Sequence, residues 1–197
     1  DINFAKSFGY TIKLLAVFRS LANGLDLRVH PTLIPNTHLL AAVNNELNAV
    51  FVKGDFVGNT MFYGPGAGER PTGSAIVSDI VDLSRDLLLK EGEQYCNRPI
   101  DPERGVKIVP LSEIKNRFYL RFFTLDKPGV LSKIAGVFGE KGISISSMVQ
   151  LETHEKDNYV PIVLLTHEAS EQAMTEALGE IEKFDFVKEN YLRLRLF

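Results

Sequence analysis

Phe118–Leu151, FYLRFFTLDKPGVLSKIAGVFGEKGISISSMVQL, decides the fold. Phe118, Leu120 and Phe122 alternate with Tyr119, Arg121 and Phe123, the period of two that marks a strand. Asp126-Lys127-Pro128-Gly129 ends that strand and opens a helix in which Val130, Leu131, Ile134, Val137 and Phe138 share a face. Gly142 stands at the helix-stop position. Ile143, Ile145, Ser147, Val149 and Leu151 then alternate in a second strand. Thr153 to Asn158 reads as a polar turn and Ile162 to Thr166 as a third strand, begun after Pro161 because proline cannot donate inside a central ladder. Ser170 is placed to cap a second helix with Met174, Ala177, Leu178 and Ile181 inward, and Val187 to Phe197 closes the sheet. The order β-α-β-β-α-β over 117–197 is the split-βαβ, ferredoxin-like arrangement.

Upstream the patterning changes. Tyr10 to Phe18 and Asp26 to Leu33 read as strands joined through Ala22-Asn23-Gly24, with Pro31 and Pro35 expected to limit pairing of the second. Thr37 to Val43 suggests a short helical turn. Asn48 to Lys53 and Asn59 to Tyr63 form another candidate hairpin. Ser74 to Lys90 carries Ile76, Ile80, Leu83 and Leu87 on one face, with Val77, Val81 and Leu88 beside them, as a buried helix requires. Glu91 to Pro110 lacks periodicity, and 91–116 reads as a linker. The expected class is α+β: a partial mixed α/β domain over 1–90, then the ferredoxin-like domain over 117–197.

Between the second hairpin and the helix lies Tyr63–Ala75, YGPGAGERPTGSA. Gly64, Gly66 and Gly68 can take positive φ and admit close approach of another molecule. The helix that follows directs N–H groups and a positive dipole end towards the loop. The spacing is G-x-G-x-G rather than the G-x-G-x-x-G of a dinucleotide fingerprint. Two readings stand: a tight strand-to-helix turn, or a loop that faces a ligand.

Composition excludes several classes. The 197 residues are 45% hydrophobic and 24% charged, with net charge −3, the profile of a globular domain or two. No block of like charge suggests nucleic acid or an anionic membrane as partner. No apolar run approaches the ~20 residues of a membrane span. The single cysteine, Cys96, rules out an internal disulfide and suits a reducing cytosol. His30 and His38, eight apart without cysteine or carboxylate in helical register, make a poor metal site. Lys13, the lysine of an apolar strand, reads as structural, as do His154 and His167 in or beside turns.

RVHPTLIP (28–35), NAVFVKGDFVG (48–58) and YGPGAGERPT (63–72) resemble the end of the catalytic domain of homoserine dehydrogenases, and DINFAKSFGYTIKLLAVF (1–18) resembles the segment just before it. Residues 118–197, including VLLTHEAS (163–170), resemble the ACT regulatory domain appended to many bacterial members. The resemblance implies an enzyme that interconverts homoserine and aspartate semialdehyde with NAD or NADP, cytoplasmic and homo-oligomeric as a dimer or tetramer. It places the catalytic lysine, the acidic substrate ligands and the monovalent-cation site upstream of Asp1, together with the nucleotide-binding domain. On that basis these residues include no catalytic or metal-binding residue, belong to a longer polypeptide, and alone hold no cofactor tightly.

Two sites follow from the same resemblance. Gly68 lies against the nicotinamide nucleotide, with Gly66 and Ala67 adjacent. Asp126, Gly129, Val130, Ile143, Ser144 and Ile145 bind a small amino-acid effector between paired ACT domains, threonine being the first choice. Ser144 stands where many ACT domains carry asparagine. Asp126 is equally suited to capping the helix or touching the effector. A non-catalytic amino-acid-binding module, or a dimerisation module with a silent ACT site, is the alternative.

Overall fold

Strands from both ends of the chain share one sheet. The computed structural model describes residues 1–88, 105, 107–150, 158–188 and 190–197. Helix α1 (Ile2–Ser7) leads into β1 (Tyr10–Leu21) and β2 (Gly24–Pro35); β3 (Leu47–Lys53), β4 (Asn59–Pro65) and α2 (Glu69–Leu88) follow. Then come β5 (Lys115–Leu125), α3 (Val130–Glu140), β6 (Ile145–Gln150), β7 (Tyr159–Thr166), β8 (Ala169–Ser170), α4 (Glu171–Ile181) and β9 (Leu192–Leu196). Two compact units result: Asp1–Thr37 with Val106–Phe197, and His38–Gly105.

In the first unit the strand order is β1-β2-β9-β5-β7-β6, with β8 paired to the start of β5. The β9-β5-β7-β6 portion, with α3 and α4, is the ferredoxin-like motif expected from the sequence. The β1–β2 hairpin extends it: Thr32 and Leu33 of β2 pair in parallel with Arg195 and Leu196 of β9. The compact units therefore do not follow a division into 1–90 and 117–197. Part of the stretch read as linker is also built into this unit. Leu25 N–H donates to the Lys107 carbonyl and Val109 N–H to the Leu25 carbonyl, both at 2.8 Å, while Val109 and Ile114 are buried. The unperiodic sequence there reflects a single-strand contact rather than a free tether.

Alternation in β5 fills two layers. Phe118, Leu120 and Phe122 pack with Ile134 and Phe138 of α3 and Met174, Leu178 and Ile181 of α4. Tyr119 faces the other way, packed with Leu33, Val163, Leu165, Leu196 and Ala5 of α1. Each fully buried side chain of this size contributes roughly 1.5–3 kcal/mol. Burial pushes the Tyr119 phenol up to about 12, and its hydroxyl donates to Asp1 Oδ1 at 2.7 Å. On the hairpin, Leu14, Ala16 and Phe18 stand opposite Pro31, Val29 and Leu27. This apolar face is open to solvent, with Leu14 72% and Val29 71% exposed. The opposite face of β2 carries Asp26, His30 and Thr32, all buried.

Three prolines and three boundaries differ from the sequence reading. Pairing of β2 with β1 runs unbroken through Pro31 to Pro35; Pro31 is tolerated because the β9 ladder on its other side starts at Thr32. Pro161 lies within β7, opposite Phe123, where the described register with β6 ends at Ile162. The missing donor thus falls at the end of one ladder. Strand β6 starts at Ile145, not Ile143, with a register shift between Ile145 and Ser147. Helix α2 begins at Glu69, five residues before Ser74, because Pro71 fits the first turn of a helix. Its end at Lys90, Cys96, Leu151, His154 and most of the 91–116 stretch lie outside the described residues.

The second unit is built on the β3–β4 hairpin, in register from Leu47↔Pro65 to Lys53↔Asn59. Helix α2 has no buried residue. Its expected apolar stripe exists but is uncovered, Ile76, Ile80, Leu83 and Leu87 being 54–87% exposed.

Candidate functional site

The first candidate site is the glycine loop between β4 and α2. Of its glycines only Gly68 has positive φ, at +116°. A methyl added there would meet nothing closer than Pro71 Cδ at 3.7 Å, so the space beside Gly68 is free for another molecule. Gly66 is small for another reason: a Cβ would fall 1.5 Å from Asn48 Nδ2. The Asn48 side chain occupies the space expected for an approaching ligand, and Gly66 N–H donates to the Glu46 carbonyl at 2.8 Å. Gly66, Ala67 and Gly68 are all exposed. The first-turn N–H groups of α2 point back towards them, although Thr72 N–H already donates to the Gly68 carbonyl at 3.1 Å. The residues fit a nucleotide held against bare backbone at Gly68; Gly66 serves the hairpin.

The second candidate site is a cavity of about 320 Å³ where β5 turns into α3. It is lined by the turn Asp126-Lys127-Pro128-Gly129, Gln150 of β6 and the neighbouring Thr124, Val130 and Ile162. Gly129 is the N-cap of α3 in the left-handed region, φ +90°, without a side-chain cap. Asp126 therefore does not cap the helix. Its Oδ1 instead accepts from Gln150 Nε2 at 3.3 Å, because the left-handed turn at Gly129 sets the cap three residues further on. Val130 N–H is not free either; it donates to the Lys127 carbonyl at 3.4 Å. First-turn N–H groups without a side-chain cap still present a partial positive charge to the cavity.

Six residues were expected at this site, and the structure brings three together. Asp126, Gly129 and Val130 line the cavity. Ile143 is buried before β6, the Ser144 carbonyl accepts from His167 N–H at 2.8 Å, and Ile145 pairs with Thr166. They sit at the opposite end of β6 from Gln150, about 17 Å away for a strand of that length. Within one copy of the chain they cannot contact the same small molecule as Gly129. The sequence reading passed over Thr124 and Gln150. Thr124 was legible, a polar residue in the inward register of Phe118, Leu120 and Phe122.

A third cluster joins the hairpin to the ferredoxin-like motif and is structural. Asp26 pairs with Arg28 (Nε–Oδ1 2.7 Å) and Arg19 (2.6 Å). Arg28 donates to Asn116 Oδ1 at 3.0 Å, and Asn116 donates to Glu171 Oε1 at 2.8 Å. Glu171, 2% exposed, is also gripped by Arg195 through Nε and Nη2. His30 Nδ1 lies 2.9 Å from Thr32 Oγ1 and 3.2 Å from the Pro31 carbonyl oxygen, while Nε2 is buried without a partner among the described residues. Desolvation holds the His30 pKa below its ordinary value, helped by the charges of Arg195 and Arg28 and opposed by the Pro31 hydrogen bond and Glu171. In the second unit His38 caps a 3-10 turn, accepting from Leu40 N–H at 3.2 Å, and packs edge-on to Phe51 at 4.7 Å. Among the described residues no group of three or more His, Cys, Asp or Glu is arranged to hold a metal ion. No described helix is long and apolar enough to cross a membrane.

Residues 118–183, within this ferredoxin-like motif, match the family profile described as ACT domain. Residues 1–81 match the profile described as Homoserine dehydrogenase. The chain belongs to the homoserine dehydrogenase family: it comprises a portion of the catalytic domain and the ACT regulatory domain. It is 40% identical to homoserine dehydrogenase of Pseudomonas aeruginosa over 198 residues, covering 100% of this chain and 46% of that protein. The figures for the Bacillus subtilis enzyme are 37% over 190 residues, covering 96% and 43%. A crystal structure of a homoserine dehydrogenase from Thiobacillus denitrificans superposes with a TM-score of 0.83 at 40% identity, covering 100% of this chain and 44% of that one. The Staphylococcus aureus enzyme at pH 8.5 gives 0.58 at 28% identity, with the same coverage. The chain thus spans a little under half the length of the curated relatives it matches.

Proposed function

We propose that this chain forms the cofactor-facing wall and the amino-acid sensor of a cytoplasmic, homo-oligomeric homoserine dehydrogenase that interconverts homoserine and aspartate semialdehyde with NAD or NADP. In this reading residues 1–90 belong to the catalytic part, 91–116 connect, and 117–197 sense. The observation that carries the reading is the pair of prepared but uncovered surfaces in the second unit: the open backbone at Gly68 and the exposed stripe of α2. An apolar stripe of that extent is what an interface leaves when its partner is absent. The partner in this reading is the nucleotide-binding domain, which the chain does not contain. A bound nicotinamide supplies the hydride acceptor; the part of this chain is to abut the nucleotide at Gly68, with Gly66 and Ala67 shaping the loop. The proton-transferring lysine, the substrate carboxylates and the cation site belong to the portion the relatives have and this chain lacks. This chain by itself is accordingly inactive and holds no nicotinamide tightly.

The regulatory half of the proposal places a small amino acid in the cavity at the Gly129 turn, threonine being the first choice. The effector carboxylate faces the first turn of α3 and its ammonium lies towards Asp126. Ile143, Ser144 and Ile145 contribute only from a second copy. Inhibition then requires the effector to favour one arrangement of the enzyme, a coupling of typically ~1–3 kcal/mol. The test is threonine inhibition of the full-length enzyme. Gly129→Asp puts a carboxylate where that of the effector must sit, and is expected to relieve inhibition with uninhibited turnover nearly intact. Identical curves for wild type and variant would place the effector elsewhere, and a flat wild-type curve would favour a silent ACT site.

A further inference from the structure

Asn23 is the one asparagine of the chain that is followed by glycine. It is exposed, in the turn between β1 and β2 that the Leu21–Gly24 pair closes. Gly24 admits no larger residue: its φ is +145°, and an added Cβ would fall 2.3 Å from the Lys107 carbonyl oxygen. The segment 107–109 approaches this closely because Leu25 N–H donates to the Lys107 carbonyl and Val109 N–H to the Leu25 carbonyl. The fold therefore keeps a glycine directly after an exposed asparagine. The same segment runs on to Glu113, whose Oε2 accepts from Asn23 Nδ2 at 3.2 Å. One turn residue thus ties the hairpin to 107–113 through its side-chain amide.

We propose that Asn23 is a modification site, converted by deamidation into a carboxylate that repels Glu113. Glycine has no Cβ to shield its backbone nitrogen or to restrict its torsions. The Gly24 nitrogen gives its proton to hydroxide and attacks Asn23 Cγ. The new C–N bond closes a cyclic imide while the Cγ–Nδ2 bond breaks, and ammonia leaves with a proton taken from water. A water molecule then opens the imide at either carbonyl, giving aspartate or isoaspartate with no change of oxidation state. Both products are ionised at neutral pH. A hydrogen bond to Glu113 becomes a contact between like charges, and in isoaspartate the main chain is also lengthened by a methylene at the closing turn.

The experiment is timed incubation of the folded 197-residue chain in mildly alkaline buffer, followed by peptide mapping with mass spectrometry. Conversion at residue 23 is expected to outrun that at every other asparagine severalfold, and Asn23→Gln, whose longer side chain closes the ring far more slowly, to abolish it. Asn23 keeping its amide as long as the asparagines followed by larger residues overturns the proposal. The consequence is read separately on Asn23→Asp, which is the aspartate product itself. At low salt its thermal midpoint should lie about 1–3 °C below that of wild type, the scale of one exposed charge contact. The deficit should shrink at high salt and vanish in the Glu113→Gln background. An unchanged midpoint, or a deficit that Glu113→Gln leaves intact, overturns the assigned repulsion.

Discussion

Thr32 of β2 stands in parallel register beside Arg195 of β9, and through that pairing the homoserine dehydrogenase segment and the ACT segment share one sheet. Beneath the junction Arg195 grips Glu171 at the start of α4, and Glu171 leads through Asn116 and Arg28 to Asp26 and Arg19. Two carboxylates, Asp26 and Glu171, are each 1–2% exposed in this network. Charges so placed persist only because their partners come from several elements at once.

Glu171→Ala is expected to cost about 3 kcal/mol, since it strands the half-buried Arg195 guanidinium and the buried Asn116 amide. Urea unfolding of the two proteins checks the figure. Replacing Glu171 by Leu together with Arg195 by Met should recover only part of the loss, because the apolar pair escapes its own desolvation penalty while the Asn116 amide still lacks the acceptor that Glu171 gave it.

His30 gives the junction a pH dependence of known sign. Its folded pKa lies below the ordinary 6.5, burial being the largest cause. The unfolded chain therefore binds the proton more readily, and stability falls as pH drops below about 6.5 towards the folded pKa. Above 6.5 the contribution is complete and flat. His30→Gln should lack this limb; the measurement is the difference between the two unfolding free energies from pH 7.5 to 5. Parallel curves would mean that the ring charges in place.

Asn48 and Gly66 form a steric pair. Gly66→Ala alone is expected to destabilise by about 0.5–1.5 kcal/mol, the cost of forcing the exposed Asn48 side chain off its rotamer, because the new methyl would sit on the Asn48 amide. Asn48→Ala leaves only its own Cβ, 3.3 Å away, so the double variant should recover much of that loss. Thermal melts of the two single variants and the double variant test the non-additivity.

Gly68→Val, in the full-length enzyme, should raise the Michaelis constant for the nicotinamide more than that for homoserine. Its φ of +116° excludes a branched side chain without backbone movement, and the side chain would enter the open space beside the loop. Steady-state kinetics with each substrate varied in turn decides it; an unchanged cofactor constant in a normally folded variant would reduce Gly68 to a turn residue.

Local pattern carried most of the elements. The alternation from Phe118, the 3.6-residue stripes from Val130 and Met174, and the Ser170 cap, which accepts from Ala173 N–H at 3.1 Å, are decided by neighbours in sequence. Pro161 and Pro31 misled because a proline constrains one side of a strand, and which side is free depends on partners distant in sequence. The union of β2 with β9 was illegible for the same reason. It left one trace, the polar residues Asp26, Arg28, His30 and Thr32 at every second position, a strand face too polar for an ordinary core. At the sites, Asp126, Gly129 and Val130 were readable from a helix-opening turn. The role of Asn48 was not: it fills the space beside Gly66, a backbone approach that no local spacing encodes.

The shared sheet also sets an order of events during synthesis. β2 and β9 are separated by roughly 160 residues of sequence, a closure that slows folding compared with local contacts. A nascent chain emerging at ~5–20 residues per second exposes the β2 edge for many seconds before Leu192–Leu196 arrives. Until then the open edge lies beside Leu14, Phe18, Leu27 and Val29, which remain exposed even in the finished structure. An unpaired strand flanked by apolar side chains is a template for other chains, and β9 is the strand that covers this edge.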